Sequence, residues 1–514
     1  MKLTKYIAVI ACITFCSCKK IIDLYPQSNL NTGTYYSNLD EVKAGLTGAY
    51  NGLHRPLFWE WQLTELRSDN SKQGQPGSTA STNRDLSDLD MFIPSTSHQG
   101  IYQYWLATYN NIRNANIIME KLGAVYDPAS GNISFQDITI PITDKDRKQL
   151  AGEAMFIRAY HYFNLVRLYG GVFLVHKTIS PEEAKKMNRV SAADIYKLIE
   201  TDLKTAIASM HTLKYNQIPP ADQGRATGWA AKALLAKVYL TLNRKADAIT
   251  LLQDVINNSG YSLLPNYANV FSTGNEVNAE ILFTVRYKAG GIGLGSPFAN
   301  MFAPLGSGSA VINGDGDGLN YPTADLDTLT NGDGRKATLI GVYGSGTAAK
   351  LYVKKTLSPV TIPDDAENDW PVIRFADVLL MLAEAQGFTP NSLQLISQVR
   401  QRAGLPGLDP AVVNTVALFE QALSNERRIE FAFENQRFFD LVRYNTTLTT
   451  ITAEQSIKDH FAREYQAHYR LYTPPTPTLA ELQANVTRDK LLLPIPQREI
   501  DTNTQLEIPQ NPGY

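Results

Sequence analysis

Residues 147–169 constrain the fold of this chain most. Ala154, Ile157, His161, Leu165 and Leu168 recur at three- and four-residue steps, the spacing that places side chains on one face of a helix. Met155, Phe156, Tyr160, Phe163 and Val166 widen that face. A helix apolar over so much of its circumference cannot lie on a surface; other helices must cover it. Gly170-Gly171 follows, and glycine ends a helix cheaply because it tolerates left-handed backbone.

Similar patterns flank this segment. Residues 39–53 place Leu39, Val42, Leu46, Ala49 and Tyr50 on one face. Helices are also expected over 59–67, 102–122, 191–210 and 227–258. In the last, Leu235-Ala236, Tyr239, Ala248 and Leu252 fall where a tetratricopeptide unit alternates large and small residues. Residues 372–386, 392–403 and 416–444 predict further helix pairs. One pair cannot bury its own apolar face, so stacked pairs are required. Residues 68–99 are rich in Ser, Asn, Asp, Gly and Gln and read as loops. Residues 265–371 are loop-rich, with strand-like pieces at 281–287 and 349–354, and loops on a helical scaffold are where binding surfaces lie. The expectation is a mostly α fold of stacked tetratricopeptide-like pairs carrying an irregular, loop-rich ligand-binding half.

The cysteines locate the chain. All three, Cys12, Cys16 and Cys18, lie at the N-terminus, so the body has no disulfide, thiol nucleophile or cysteine-bound metal. Lys2 and Lys5 precede a short apolar run over residues 6–17, too short to span a bilayer and typical of a secretory signal. Phe15-Cys16-Ser17-Cys18 resembles a bacterial lipoprotein box, with Cys16 an atypical member. Cleavage before Cys18 would expose it for lipidation, and several acyl chains anchor far better than one. The expected organisation is a signal peptide at 1–17, a lipidated tether at 18–38, an N-terminal helical part at 39–264 and a C-terminal part at 265–514 that holds the irregular segment, the two packed as one unit. With a formal charge of −2 and 19% charged residues, the chain has no basic excess for nucleic acid.

Catalytic signatures are weak. Glu426, Glu430 and Glu434 share a helix face, but Arg427, Arg428 and Arg437 interleave with them, which predicts structural ion pairs instead of two carboxylates opposed across a glycosidic bond. His460 and His468 could share a face, and a solvated surface is the plain expectation. No nucleotide-loop or hydrolase-elbow motif is present. Asn313, Asp315 and Asp317 alternate with Gly314, Gly316 and Gly318 like the start of a calcium loop, but the twelfth position is Ala324, not Glu. A turn-rich loop is expected, with an irregular structural calcium site as the alternative and no other cofactor.

Several stretches resemble one family. Gly152-Glu-Ala-Met-Phe-Ile-Arg158-Ala-Tyr-His-Tyr-Phe163-Asn-Leu-Val-Arg167-Leu-Tyr169-Gly-Gly-Val is similar to the signature helix of SusD/RagB proteins. Gly224-Arg-Ala-Thr, Ile373-Arg-Phe-Ala-Asp, Val399-Arg-Gln-Arg-Ala-Gly, Glu426-Arg-Arg-Ile-Glu430-Phe-Ala-Phe-Glu434 with Arg437-Phe-Phe-Asp440, Leu493-Pro-Ile-Pro-Gln497 and Gln510-Asn-Pro-Gly-Tyr514 follow in family order. So does Tyr321-Pro-Thr-Ala-Asp325 with Asp333-Gly-Arg335. The resemblance implies an outer-membrane lipoprotein, surface-exposed and held to the membrane by its anchor alone. It implies an oligosaccharide ligand, no enzymatic activity, and a SusC-like TonB-dependent transporter as partner, which the lipoprotein covers as a lid.

Sugars stack their C–H faces on aromatic rings and pair their hydroxyls with Asn, Gln, Asp and Arg. Among the tryptophans, Trp105 and Trp229 sit inside helical patterns and read as core. The family places ligand groups in loops after the first helices and in the irregular half. That favours Trp59, Asn70, Gln73, Asn83, Arg84, Tyr287, Asn320 and Trp370 as ligand contacts. The competing readings are a tetratricopeptide-type scaffold and a peptide-capture lipoprotein of the same transporter class.

Overall fold

A computed structural model describes residues 35–74, 81–472, 475–503 and 505–514. Cys18, the signal peptide and most of the tether lie outside the described residues. The first part of the chain forms α1 (Leu39–Asn51), α2 (His54–Thr64), α3 (Ser81–Asp90), α4 (Gln99–Lys121), α5 (Asp144–Tyr169), α6 (Ala192–Ser209), α7 (Gly228–Thr241) and α8 (Lys245–Asn258). After the irregular segment come α9 (Phe375–Gln386), α10 (Pro390–Arg402), α11 (Val416–Glu430), α12 (Arg437–Thr447) and α13 (Ala453–Glu464). From α4 to α8 each helix packs on the next, and α8 packs on α9 and α9 on α10, so the stack continues across the irregular segment. The main hydrophobic core runs from Val42 to Ile495, and a smaller one gathers Ala299, Ala303, Ile312 and Ala366.

The helices start where the sequence supplies caps. Thr143, Ser191, Thr227, Thr389, Thr415 and Thr452 each accept the third helical amide on a side-chain oxygen, satisfying donors that helix geometry orphans. α5 stops at Gly170, with φ of 71°. Trp105 and Trp229 are buried.

The structure corrects three expectations. Residues 68–99 are not all loop: α3 forms there because Leu86 and Leu89, three apart, reach the core. Two apolar residues are too few for periodicity to show. As the tetratricopeptide spacing predicts, residues 227–258 form a pair, α7 and α8, with Asn243 between them in left-handed backbone at φ 56°. Val372 belongs to a strand, Trp370–Arg374, which pairs antiparallel with Ile281–Val285 before α9 begins. His460 and His468 are buried, not solvated. The Tyr469 hydroxyl donates to Asp90 Oδ1 at 2.7 Å and lies 2.9 Å from His460 Nε2, while His468 Nε2 stands 3.5 Å from Asp90 Oδ2.

The irregular half is fastened to α11 by buried charge. Glu430 accepts Arg335 Nη1 at 2.8 Å and Arg374 Nη1 at 2.9 Å, and Arg402 as a third donor. Arg335 also reaches Glu426 and Asp333, and Arg374 reaches Glu280 and Glu434. The three arginines hold the Glu430 carboxyl far below the usual carboxylate range despite its burial. These glutamates are structural counter-ions, each committed to arginine.

Candidate functional site

The irregular segment holds its loops with side chains, because it has little regular backbone pairing. Asn300, in the short helix Phe298–Phe302, donates through Nδ2 to the carbonyls of Asn313 (2.9 Å) and Asp315 (2.8 Å), and its Oδ1 accepts the Asp364 amide. Asp315, at φ 76°, accepts the amides of Gly308 (2.8 Å) and Gly316 (2.7 Å) on Oδ1 and that of Gly306 on Oδ2. Those amides lower the Asp315 pKa. Asp365 takes the amides of Gly290 and Gly291, each at 2.8 Å. Asn313 Nδ2 donates to the Thr361 carbonyl. Four loops are thereby tied to one another through amides and carbonyls.

Between these loops, the turn Tyr267–Phe271 and the helix Lys336–Leu339 lies a trough of about 830 Å3. Phe271, Thr273, Ser309, Asn313, Ser358 and Asn368 line it. The Phe271 ring carries Lys355 Nζ at 4.5 Å and the Arg374 guanidinium at 5.4 Å. Burial pushes the Lys355 ammonium down to about 8, against the opposing pull of Glu434. Two buried wall atoms, Ser358 Oγ and Asn368 Oδ1, have no hydrogen-bond partner in the protein. Buried polar atoms are paired as a rule, so these two unpaired atoms set Ser358 and Asn368 apart among the residues that line the trough. A wall of hydroxyls and amide oxygens beside one ring suits an uncharged, hydroxyl-rich ligand.

The residues anticipated from sequence fall in several places. Asn313 lies on the trough wall. Asn70 is inside the protein, where Oδ1 accepts Arg428 Nε at 2.8 Å. Gln73 and Asn83 are buried, and the Gln73 backbone N–H donates to Asp90 Oδ2. Asn70, Gln73 and Asn320 meet where Ser71–Lys72 pairs with Tyr321–Pro322. Asn320 is fully buried, with neither side-chain polar atom partnered. Arg84 is exposed. Trp59 is half-buried, 5.0 Å from Phe58 and under the Arg55 guanidinium at 5.3 Å. Trp370 packs 4.6 Å from Phe298, which also meets Tyr287. Tyr287 is buried and stacks on His54 at 4.2 Å, walling a smaller cleft of about 400 Å3. The cations of that cleft are spoken for: Arg225 holds Glu153, and Arg286 holds Asp369.

For calcium, both Asp315 oxygens face amides. Burial, then the nearby Asp364 and Asp315 carboxylates, raises the Asp317 pKa. Among the described residues no group of three or more His, Cys, Asp or Glu could hold a metal ion. Ser309, Ser358 and Asn368 carried no sequence signal of their own, since a lone Ser or Asn in a loop is common. Only the loop-rich composition of their segment marked them.

Two family descriptions match this chain in order. Residues 36–240 match the one described as "Starch-binding associating with outer membrane". Residues 335–514 match the one described as "SusD family". This chain belongs to the SusD/RagB family. A SusD-like protein of Formosa agariphila is 25% identical to this SusD-family chain over 98% of both. The starch-binding protein SusD of Bacteroides thetaiotaomicron is 26% identical over 63% of this chain and 69% of its own length. Solved structures share the mostly α fold. A laminarin-binding SusD-like protein superposes with a TM-score of 0.73 at 24% identity, covering 93% of this chain and 100% of its own. A surface glycan-binding protein of Bacteroides thetaiotaomicron, in complex with laminarihexaose, gives 0.71 at 18% identity, over 92% and 99%.

Proposed function

We propose that this SusD-family protein is a lipid-anchored outer-membrane protein that binds oligosaccharide in the irregular-half trough and passes it to a SusC-like TonB-dependent transporter without altering it. The observation that carries this reading is the pair of unpartnered buried atoms, Ser358 Oγ and Asn368 Oδ1, on the wall of the trough of about 830 Å3. Sugar hydroxyls supply the donors these atoms lack. Relatives named for starch and laminarin support a glycan ligand. Glu426, Glu430 and Glu434 are saturated by arginine and lysine, which leaves no opposed acid pair on that face for glycoside hydrolysis. Anchoring is assigned to Cys18, consistent with the lack of any described helix long and apolar enough to cross a membrane. Family membership supports the transporter as partner.

Calorimetric titration with laminarihexaose and with maltohexaose tests the ligand. One lost hydrogen bond is worth about 1 kcal/mol, so Asn368→Ala and Ser358→Ala should each weaken binding about fivefold to tenfold. No reducing ends should appear on long incubation. Equal affinities for wild type and both variants would remove the trough from the account.

A further inference from the structure

A second concavity, of about 380 Å3, lies on the helical side between α4, residues 173–179 and the C-terminal residues Glu499 to Asn503 with Ile508. Its size is that of a small-molecule site. Trp105, Leu106, Tyr109 and Arg113 recur at helical spacing along α4, so one helix face supplies both an apolar floor and a cation. Ring centroids stand 5.1 Å apart for Trp105 and Tyr109, and 5.8 Å for Trp105 and Phe173. Leu106 is 38% exposed, a large apolar side chain open to the groove.

The polar atoms of that floor are already used. The Tyr109 hydroxyl donates to the Phe173 carbonyl at 2.8 Å, and the Trp105 side chain hydrogen-bonds Glu499. A sugar would find mostly ring and methyl surface on that floor. The rim is different. Arg113 and Lys185 are exposed and form no ion pair among the described residues. Lys177 is neutralised by Glu183 at 3.2 Å. The one carboxyl on the wall, Glu499, is half-buried, and burial raises its pKa, which weakens its opposition to an anion.

We propose that this groove binds an anionic amphiphile, with its apolar body on Leu106, Tyr109 and Phe173 and its carboxylate between Arg113 and Lys185. Acyl and aryl carboxylates share this chemistry, and the assay separates them. Decanoate, 2-naphthoate, neutral decanol and laminarihexaose are titrated against wild type, Leu106→Asp and Arg113→Glu, with the melting temperature of each variant measured alongside. Both substituted residues are exposed, and melting temperatures near that of wild type confirm that both variants fold. The acid that fits binds the wild type, about tenfold more tightly than decanol, and loses about tenfold or more in each variant. Added salt weakens it further. Decanoate alone identifies an acyl source; 2-naphthoate alone identifies an aryl one. Laminarihexaose binding is unchanged by either substitution, which keeps this result separable from the trough reading. The proposal is overturned if decanol binds as tightly as both acids, if Arg113→Glu leaves acid binding unaltered, or if neither acid binds at about 1 mM.

Discussion

Replacing Glu430 by Gln tests whether the buried charge network holds the irregular half. The exchange keeps side-chain volume and removes one charge. Glu430 is fully buried and accepts from Arg335, Arg374 and Arg402. In the variant an amide NH2 must face guanidinium donors, and three arginines share fewer carboxylates. Breaking a buried ion pair costs about 3–5 kcal/mol. Unfolding entropy near 2.1 cal/mol/K per residue, over 514 residues, gives about 1.1 kcal/mol/K. The melting temperature should therefore fall by about 3–5 °C at pH 7, read by calorimetry or near-ultraviolet circular dichroism. The exposed helix pair Lys148–Asp144 at 2.8 Å provides a control: Lys148→Ala should shift melting by less than about 0.5 °C. The sign with pH follows from the depressed folded pKa of Glu430. Its stabilisation is present above the unfolded carboxylate value and is lost as pH falls through the folded one. The gap between wild type and Glu430→Gln should thus be full at pH 7 and shrink on strong acidification. A drop under 1 °C at pH 7, matching the Lys148→Ala control, would refute the network as the fastening of this half.

Two further outcomes follow from the loops. Burial, then the neighbouring Glu276 carboxyl, raises the Asp369 pKa to about 7, so its contribution is present below the unfolded value and lost as pH rises through 7. Asp369→Asn should accordingly raise the melting temperature relative to wild type more at pH 8 than at pH 5, and equal shifts at both pH values would contradict this. Asp315→Ala removes the acceptor of three amides in the loop that carries Ser309 and Asn313. It should weaken oligosaccharide binding roughly threefold to tenfold through lost pre-organisation, seen in calorimetry as a less favourable entropy, and unchanged affinity would free that loop from the site.

The helical scaffold was legible because its signal is local. Residues 147–169 declare a buried helix within one stretch of chain, and α5 spans Asp144–Tyr169. Where a structural fact depends on distant residues, the sequence was silent. Asn70 reads as a loop amide free for a ligand, but Arg428 takes its oxygen from 358 positions away. His460 and His468 read as solvated because Asp90, which sits with them and Tyr469 in the core, lies far upstream. α3 escaped notice because two leucines sufficed to seat it.

The same distinction explains why the family could be read and the glycan could not. The stretches that carry the resemblance supply buried pairs: Arg374 with Glu434, Arg427 with Asp440, and Arg335 with Glu426, and they supply Arg158, which meets Asp202. Charges withdrawn from water are costly unless each meets its partner in good geometry, so these residue types stand in fixed relation along the chain and leave a legible pattern. Ser309, Ser358 and Asn368 lie outside those stretches. The unpaired atoms of Ser358 and Asn368 exist only because loops held by Asp315, Asp365 and Asn300 bring these residues to one wall without pairing them. A network that fixes the loops from beneath allows the residues on the trough surface to vary without unfolding the protein. If the trough holds the glycan as proposed, the chemistry that selects a sugar is written where the scaffold imposes least, and the placement of Ser358 Oγ and Asn368 Oδ1, not the motifs, determines which sugar fits.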